Sequence, residues 1–435
     1  MSTAPPPLHA YRASLLYFTA DPAFADDAHV WHQDGLLVVA GDRVQAAGDY
    51  ATLAAGLPPG TPLHDYRGKI IMPGFIDTHL HYPQTDMIAS SAPGLLPWLE
   101  TYTFPTERRF DDPAHARQVA EFFLDELLRC GTTSAMVYCT VHRESVDAFF
   151  EASEARSLRM VAGKVLMDRH CPEYLRDTPE SATRDSEALI NKWHQRGRAL
   201  YAITPRFAPT SSEQQLRLAG QLAAAYPDTF IQTHVSENAE ECEWVRSLFP
   251  AQRSYLHVYE HYGFMRERAM FGHCIWLDGE DFARMAATGS AVAVCPTSNL
   301  FLGSGLFDFE QANRAGVLHS LATDVGAGTT FSMLQTMNEA YKVARMKGCF
   351  LPALRMFYLA TLGAARSMQL DGVIGSLAPG AEADFIVLDP RATPLLARRS
   401  AHCNSLEEQL FALALLGDDR TIFATYAAGR KLHQR

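Results

Sequence analysis

IIMPGFIDTHLH, residues 70–81, is a short apolar run that ends in two histidines one residue apart. A run this apolar offers water no polar face, so it reads as a buried parallel strand. On an extended chain the side chains at i and i+2 point the same way, which lets His79 and His81 present two imidazoles to one ion. Similar runs follow at 132–138, 160–168, 201–209, 230–237, 270–277, 291–299 and 317–324, each bounded by Gly, Pro or polar residues. Helical patterns lie between them, among them 113–129, 212–226 and 331–347. Strands alternating with helices in this number predict an α/β fold, a (β/α)8 TIM-like barrel spanning 71–370.

The two ends of the chain behave differently. Strand-like fragments appear at 35–40 and 61–66, and again at 380–388 and 421–431. Neither set alone can bury a sheet face, so the expectation is one small β domain to which both termini contribute, 1–70 and 371–435.

Composition narrows the function classes. The 49 acidic and 38 basic residues leave a net charge of −11, and the basic ones are scattered. A nucleic-acid or anionic-membrane surface would need clustered Lys and Arg, so neither partner is expected. The longest apolar runs are short and predict no membrane span. The opening MSTAPPPLHAYRAS lacks the pattern of a secretory leader. Eight cysteines with no C-x-x-C pair read as free thiols in a reducing cytoplasm.

In a (β/α)8 barrel the chemistry sits at the C-terminal ends of the strands. Besides His79 and His81, those ends carry His234 and Glu237 in His-Val-Ser-Glu, His273 in Gly-His-Cys, and Asp324 in Thr-Asp. Imidazoles with a single carboxylate suit Zn2+ with a water at an open position, and Fe2+ accepts the same donors. Any one of these motifs is weak, because a lone histidine is usually packed or at the surface. Their joint appearance at four strand ends is hard to reach by accident. His32, His115, His194, His257 and His261 fall in helices or loops and are left as structural.

This set resembles the amidohydrolase superfamily, whose members place H-x-H on strand 1, His on strands 5 and 6, and Asp on strand 8. The tail segment PGAEADF, residues 379–385, is similar to that family's return to the small β domain. Members with two metals bridge them through a carboxylated lysine at the end of strand 4. Here that end reads Pro205-Arg206-Phe207, and Lys164 lies one strand earlier, so the resemblance implies a single metal. It further implies that His79, His81, His234 and Asp324 hold zinc. Asp324 would take a proton from water, His273 would orient that water, and Glu237 would act as general acid/base. The alternative for Glu237 is a carboxylate placed at a helix N-terminus.

Longer strings, at 73–84, 103–110, 202–212, 295–307 and 323–333, resemble the branch of the superfamily that deaminates guanine to xanthine. On that resemblance Gln84, Arg206 and Phe207 hold a purine base, and His234, Glu237 and Asp324 meet it beside the metal. Arg206 offers forked donors that match guanine O6 and N7, and Phe207 offers an apolar wall. The structural alternatives are a salt bridge for Arg206 and a core ring for Phe207. Residues 103–110 are expected to help close the pocket. A homodimer is implied by the resemblance alone. Two competing readings stay open: a related deaminase acting on another purine, cytosine or a triazine, and a barrel that kept its fold without its chemistry.

Overall fold

The computed structural model describes residues 6–435, so residues 1–5, part of the opening segment read above as no leader, lie outside it. The chain begins with strands β1 (Leu8–Phe18), β2 (His29–Ala40), β3 (Arg43–Asp49) and β4 (Leu63–Pro73). Strands β5 (Phe75–His81), β6 (Thr132–Tyr138), β7 (Arg159–Gly163), β8 (Val165–Leu166), β9 (Leu200–Pro205), β10 (Phe230–Val235), β11 (Ala269–His273), β12 (Ala291–Val294) and β13 (Leu318–Leu321) follow. The tail adds β14 (Phe385–Leu388), β15 (Ile422–Ala427) and β16 (Arg430–Gln434).

The middle set forms the barrel in the order β13-β12-β11-β10-β9-β7-β6-β5, with β8 paired to β9. β7 and β8 are one stave broken at Lys164, because Val161 faces Leu200 and Val165 faces Thr204 in unchanged register. All these pairings are parallel. Closure between the last and first staves is made past the ends of the ladder. Asp324 N–H donates to the His79 carbonyl at 2.9 Å, and His81 N–H to that of Val325. Three of the four residues in these closing bonds, His79, His81 and Asp324, also belong to the strand-end set.

Both termini build the second sheet, in the order β16-β15-β14-β4-β1-β2-β3. β1 and β4 run parallel and the other pairs are antiparallel. Its core is Tyr11, Leu15, Leu37, Val39, Ile71, Phe385, Val387 and Tyr426. The run 70–81, expected as one strand, is therefore two: β4 belongs to the small sheet and β5 to the barrel. The break falls at Gly74, where a Cβ would lie 2.1 Å from Thr133 Oγ1, so only glycine lets the chain pass.

Helices cover the barrel where the periodicity places them. Pro113–Arg129 starts on Asp112, whose carboxylate accepts from Ala114 N–H, and buries Val119, Ala120, Phe123, Leu124, Leu127 and Leu128 along one stripe. Glu213–Ala225 starts on Ser212 and Met333–Met346 on Ser332. Several expected strands end earlier than read, 291–299 most of all: it ends at Val294, and Pro296–Phe301 is helical, with Pro296 pre-setting the first turn. No helix among the described residues is long and apolar enough to cross a membrane.

Candidate active site

The strand-end residues meet at one barrel mouth. His79, His81, His273 and Asp324 are almost wholly buried. His81 Nε2 lies 3.1 Å from His234 Nε2, while Asp324 Oδ1 lies 3.4 Å from His79 Nε2 and 3.5 Å from His81 Nε2. Ligands about 2.1 Å from a tetrahedral zinc stand roughly 3.4 Å apart, so these spacings match edges of such a shell. Grouped by mutual distance within 4.8 Å, the donors form two sets that share His79. One is His79, His81 and His234; the other is His79, His273, Cys295 and Asp324. The pairwise distances place the Asp324 carboxylate against the His79/His81 side of the triad. Cys295 was not expected here. Burial holds its thiol well above the ordinary value, and it donates to the Ala293 carbonyl, so it brings no thiolate.

The nitrogens are prepared for a cation. Both ring nitrogens of His79 and Nδ1 of His81 are buried without a hydrogen-bond partner. His234 Nδ1 lies 2.6 Å from the Arg206 carbonyl, a bond only an N–H can make, so its Nε2 carries a lone pair. Burial, reinforced by the neighbouring rings, holds His81 and His234 well below the usual imidazole range and keeps them neutral. A protein that buries neutral imidazoles around a carboxylate has a donor set that fits a divalent cation. Gly272 makes the room: a Cβ there would lie 2.6 Å from His79 Cε1. His273 (φ 70°) and Asp324 (φ 53°) both adopt the left-handed region, which costs about 1–3 kcal/mol each and is typical of functional sites.

Beside this set sits a proton-handling pair. His273 Nε2 is 3.4 Å from Glu237 Oε2 and 3.8 Å from Asp324 Oδ2, and its Nδ1 bonds Asn299 Oδ1 at 2.9 Å. Burial lifts the Glu237 carboxyl to about 7, although His273 pulls the other way. The carboxylates of Glu237 and Asp324 overcome burial and raise His273. Burial also pushes Asp324 upward, but His79 beside it holds the carboxyl below its ordinary value. Glu237 stands one residue ahead of the N-cap of the helix that follows, but it does not itself cap that helix. Asn238 and Glu241 form the capping box of the helix Ala239–Leu248, while the Glu237 carboxylate accepts from the Ser304 hydroxyl at 3.1 Å.

A small cavity, partly open to solvent, lies over these groups. It is lined by His81, His234, Glu237, His273 and Asp324, by Gln84, Arg206 and Phe207, and by the apolar Leu95, Trp98, Leu99, Leu302 and Ala327. The apolar walls come from residues 95–99 in the segment after β5, from Leu302 after β12 and from Ala327 after β13, and none of these residues was singled out from the sequence. Phe207 stands edge-on to Trp244 at 6.2 Å between ring centroids while facing the cavity. Arg206 is both things proposed for it, a pocket-lining side chain and half of a buried salt bridge. Its partner is Glu107, from the 103–110 stretch. Glu107, Asn299 and Ser304 lie inside the quoted family-like strings but were not singled out. Lys164 is buried and ion-paired with Asp177, away from the donor set.

The chain matches the description "Amidohydrolase family" over residues 70–432. It is 48% identical to the guanine deaminase of Escherichia coli K12, over 98% of each chain. The solved E. coli guanine deaminase superposes with a TM-score of 0.95, covering 98% of this chain and 99% of that one. The guanine deaminase of C. acetobutylicum, solved with guanine in its active site, gives 0.87 at 27% identity, covering 98% and 100%. With the barrel, the strand-end donors and the extent of these matches in agreement, the chain belongs to the amidohydrolase family.

Proposed function

We propose that this protein hydrolyses guanine to xanthine and ammonia. One observation carries the proposal: Arg206 and Gln84 line the same cavity as Glu237, His81, His234, His273 and Asp324. A planar base held there by its O6/N7 edge on Arg206 turns its C2 and N3 toward the imidazoles and carboxylates. The identity to the E. coli enzyme and the guanine held by the C. acetobutylicum enzyme support the same substrate.

His79, His81, His234 and Asp324 would hold one divalent cation, which we read as Zn2+, with Fe2+ fitting the same donors. A cation of this kind lowers the pKa of water from 15.7 to about 7 and so supplies hydroxide at neutral pH. Asp324, kept ionised, receives the proton of the attacking water. His273, with Nδ1 on Asn299 Oδ1 and Nε2 beside Glu237 and Asp324, orients the incoming oxygen. Glu237, which burial keeps protonated to about 7, donates to N3 as water adds at C2. It then relays a proton to the exocyclic amine, a poor leaving group until protonated, and ammonia departs. The balance is guanine plus water to xanthine plus ammonia. The proposal extends to a cytoplasmic homodimer, which size measurement in solution would check.

Ammonia release should be compared for guanine, adenine, cytosine and 8-oxoguanine, with metal analysis of the same preparation. Turnover of guanine with about one zinc or iron per chain is expected; no activity on guanine overturns the assignment.

A further inference from the structure

Glu107 has no exposed surface and does not itself line the cavity, yet it bonds to two side chains that do. It ends the short helix Phe104–Glu107, in the segment that crosses the barrel mouth after β5. Its Oε1 accepts from Gln84 Nε2 at 3.0 Å and from Arg206 Nη1 at 3.0 Å, and its Oε2 accepts from Arg206 Nη1 at 2.8 Å. The Phe104 ring lies 5.6 Å from Arg206 Cζ.

These bonds decide what the two pocket residues can offer. Gln84 Oε1 accepts from Gly326 N–H at 3.3 Å while its Nε2 faces a carboxylate that only accepts. Flipping that amide would set oxygen against carboxylate and N–H against N–H, so its polarity is locked. On Arg206, Nη1 is taken by Glu107, which leaves Nε–H and Nη2–H as the free fork. Without the carboxylate the guanidinium could turn any edge to the base, and its charge would be buried unpaired. A buried ion pair is a poor device for stability alone, since apolar residues of similar volume often do as well. Placed behind two ligand-facing donors, it serves geometry.

We propose that Glu107 is the positioning residue for base recognition: it presents Arg206 Nε/Nη2 to the O6/N7 edge of the purine and fixes which end of the Gln84 amide faces the base. This rests on the guanine reading above. The test compares competitive inhibition by hypoxanthine, which has both O6 and N7, with that by purine, which lacks O6. In Glu107→Gln we expect the hypoxanthine Ki to rise about 10- to 100-fold and the purine Ki to shift less than about 3-fold, as loss of charged hydrogen bonds to one edge predicts. Glu107→Asp, which keeps the charge on a shorter arm, should recover part of the discrimination. An unchanged hypoxanthine-to-purine ratio in Glu107→Gln, or equal weakening of both, overturns the proposal.

A crystal structure of the unaltered protein with hypoxanthine tests the same point without substitution. Nε and Nη2 on the base with Nη1 on Glu107 supports it, and Nη1 or Glu107 on the base refutes it. Failure of the guanine reading would show separately, as a wild-type protein that releases no ammonia from guanine.

Discussion

Replacing Glu237 by glutamine isolates the proton from everything else this carboxyl does. Glutamine keeps the length, the volume and an acceptor for the Ser304 hydroxyl, but it carries no acid. A positioned acid–base group contributes about 10²–10⁴-fold, so kcat should fall by that factor, roughly 3–5 kcal/mol at 1.36 kcal/mol per decade. KM for guanine should stay within about 3-fold and metal content should not change, because the glutamine amide can still donate a hydrogen bond to N3 and the cation's donors are untouched. The pH profile sharpens the test. Burial first, with Glu241 and Asp324 adding to it against His273, sets this carboxyl at about 7. Wild-type kcat/KM should therefore fall as pH rises through about 7, and the variant should lack that limb. The carboxyl's contribution to stability should fall over the same pH range. A folded-state value above the unfolded 4.5 means that the group's favourable contribution is complete below 4.5 and lost as pH climbs to about 7. The loss is about 3 kcal/mol, so near pH 8 the variant should melt up to a few degrees above wild type, a difference that vanishes toward pH 4.5. Steady-state ammonia release, metal analysis and calorimetry across pH read all of this. A variant with near-normal kcat and intact metal would remove Glu237 from the mechanism.

Gly272→Ala should empty the cation site without touching a ligand. The new Cβ would sit 2.6 Å from His79 Cε1, both on packed strands, so the imidazole must move. Metal affinity should fall about 10- to 100-fold, read as substoichiometric metal after dialysis; full occupancy would refute the steric argument. Glu382 should anchor the small domain to the barrel: it is buried and bonded to Arg159 and Arg198, Nε to Oε2 at 3.2 and 3.0 Å. Burial pushes this carboxyl up, but the two guanidiniums prevail and lower it, so its contribution holds above 4.5 and is lost as pH falls through the folded-state value. Glu382→Gln should cost about 3–5 kcal/mol at neutral pH and flatten the acid side of the melting curve; an unchanged curve would show the cluster to be inert.

The barrel was legible because its staves are covered on both faces, which makes each an apolar run with little competing signal. What the runs hid was where one element stops. Apolar character continues across Gly74 from the small sheet into the barrel, and no periodicity marks the change of sheet. β1 escaped notice because Arg12 interrupts it, and only the fold shows that this side chain reaches sideways to Asp34 at 2.8 Å. β3 is a polar edge strand in which Val44 alone is buried, so it has no apolar face to read.

The site divides along the same line. Ligands at strand ends are legible because the barrel dictates that all its strand ends converge, so strand order alone brings His79, His234 and Asp324 together. Glu107 has no such rule. It meets Arg206 across 99 residues through a segment whose path depends on the packing of Trp98, Leu99 and Phe104, and nothing local in the string announces a buried carboxylate. Asn299 and Ser304 reach His273 and Glu237 in the same way, Asn299 from a helical turn read as the end of a strand and Ser304 from the loop that follows. The chemistry therefore sits on elements whose geometry the fold guarantees, while orientation of the reacting groups is entrusted to loops. Substitutions among the loop residues should tune which base is accepted more readily than whether the reaction occurs, because they can move Arg206, Gln84 or His273 without displacing the strand ends that hold the cation.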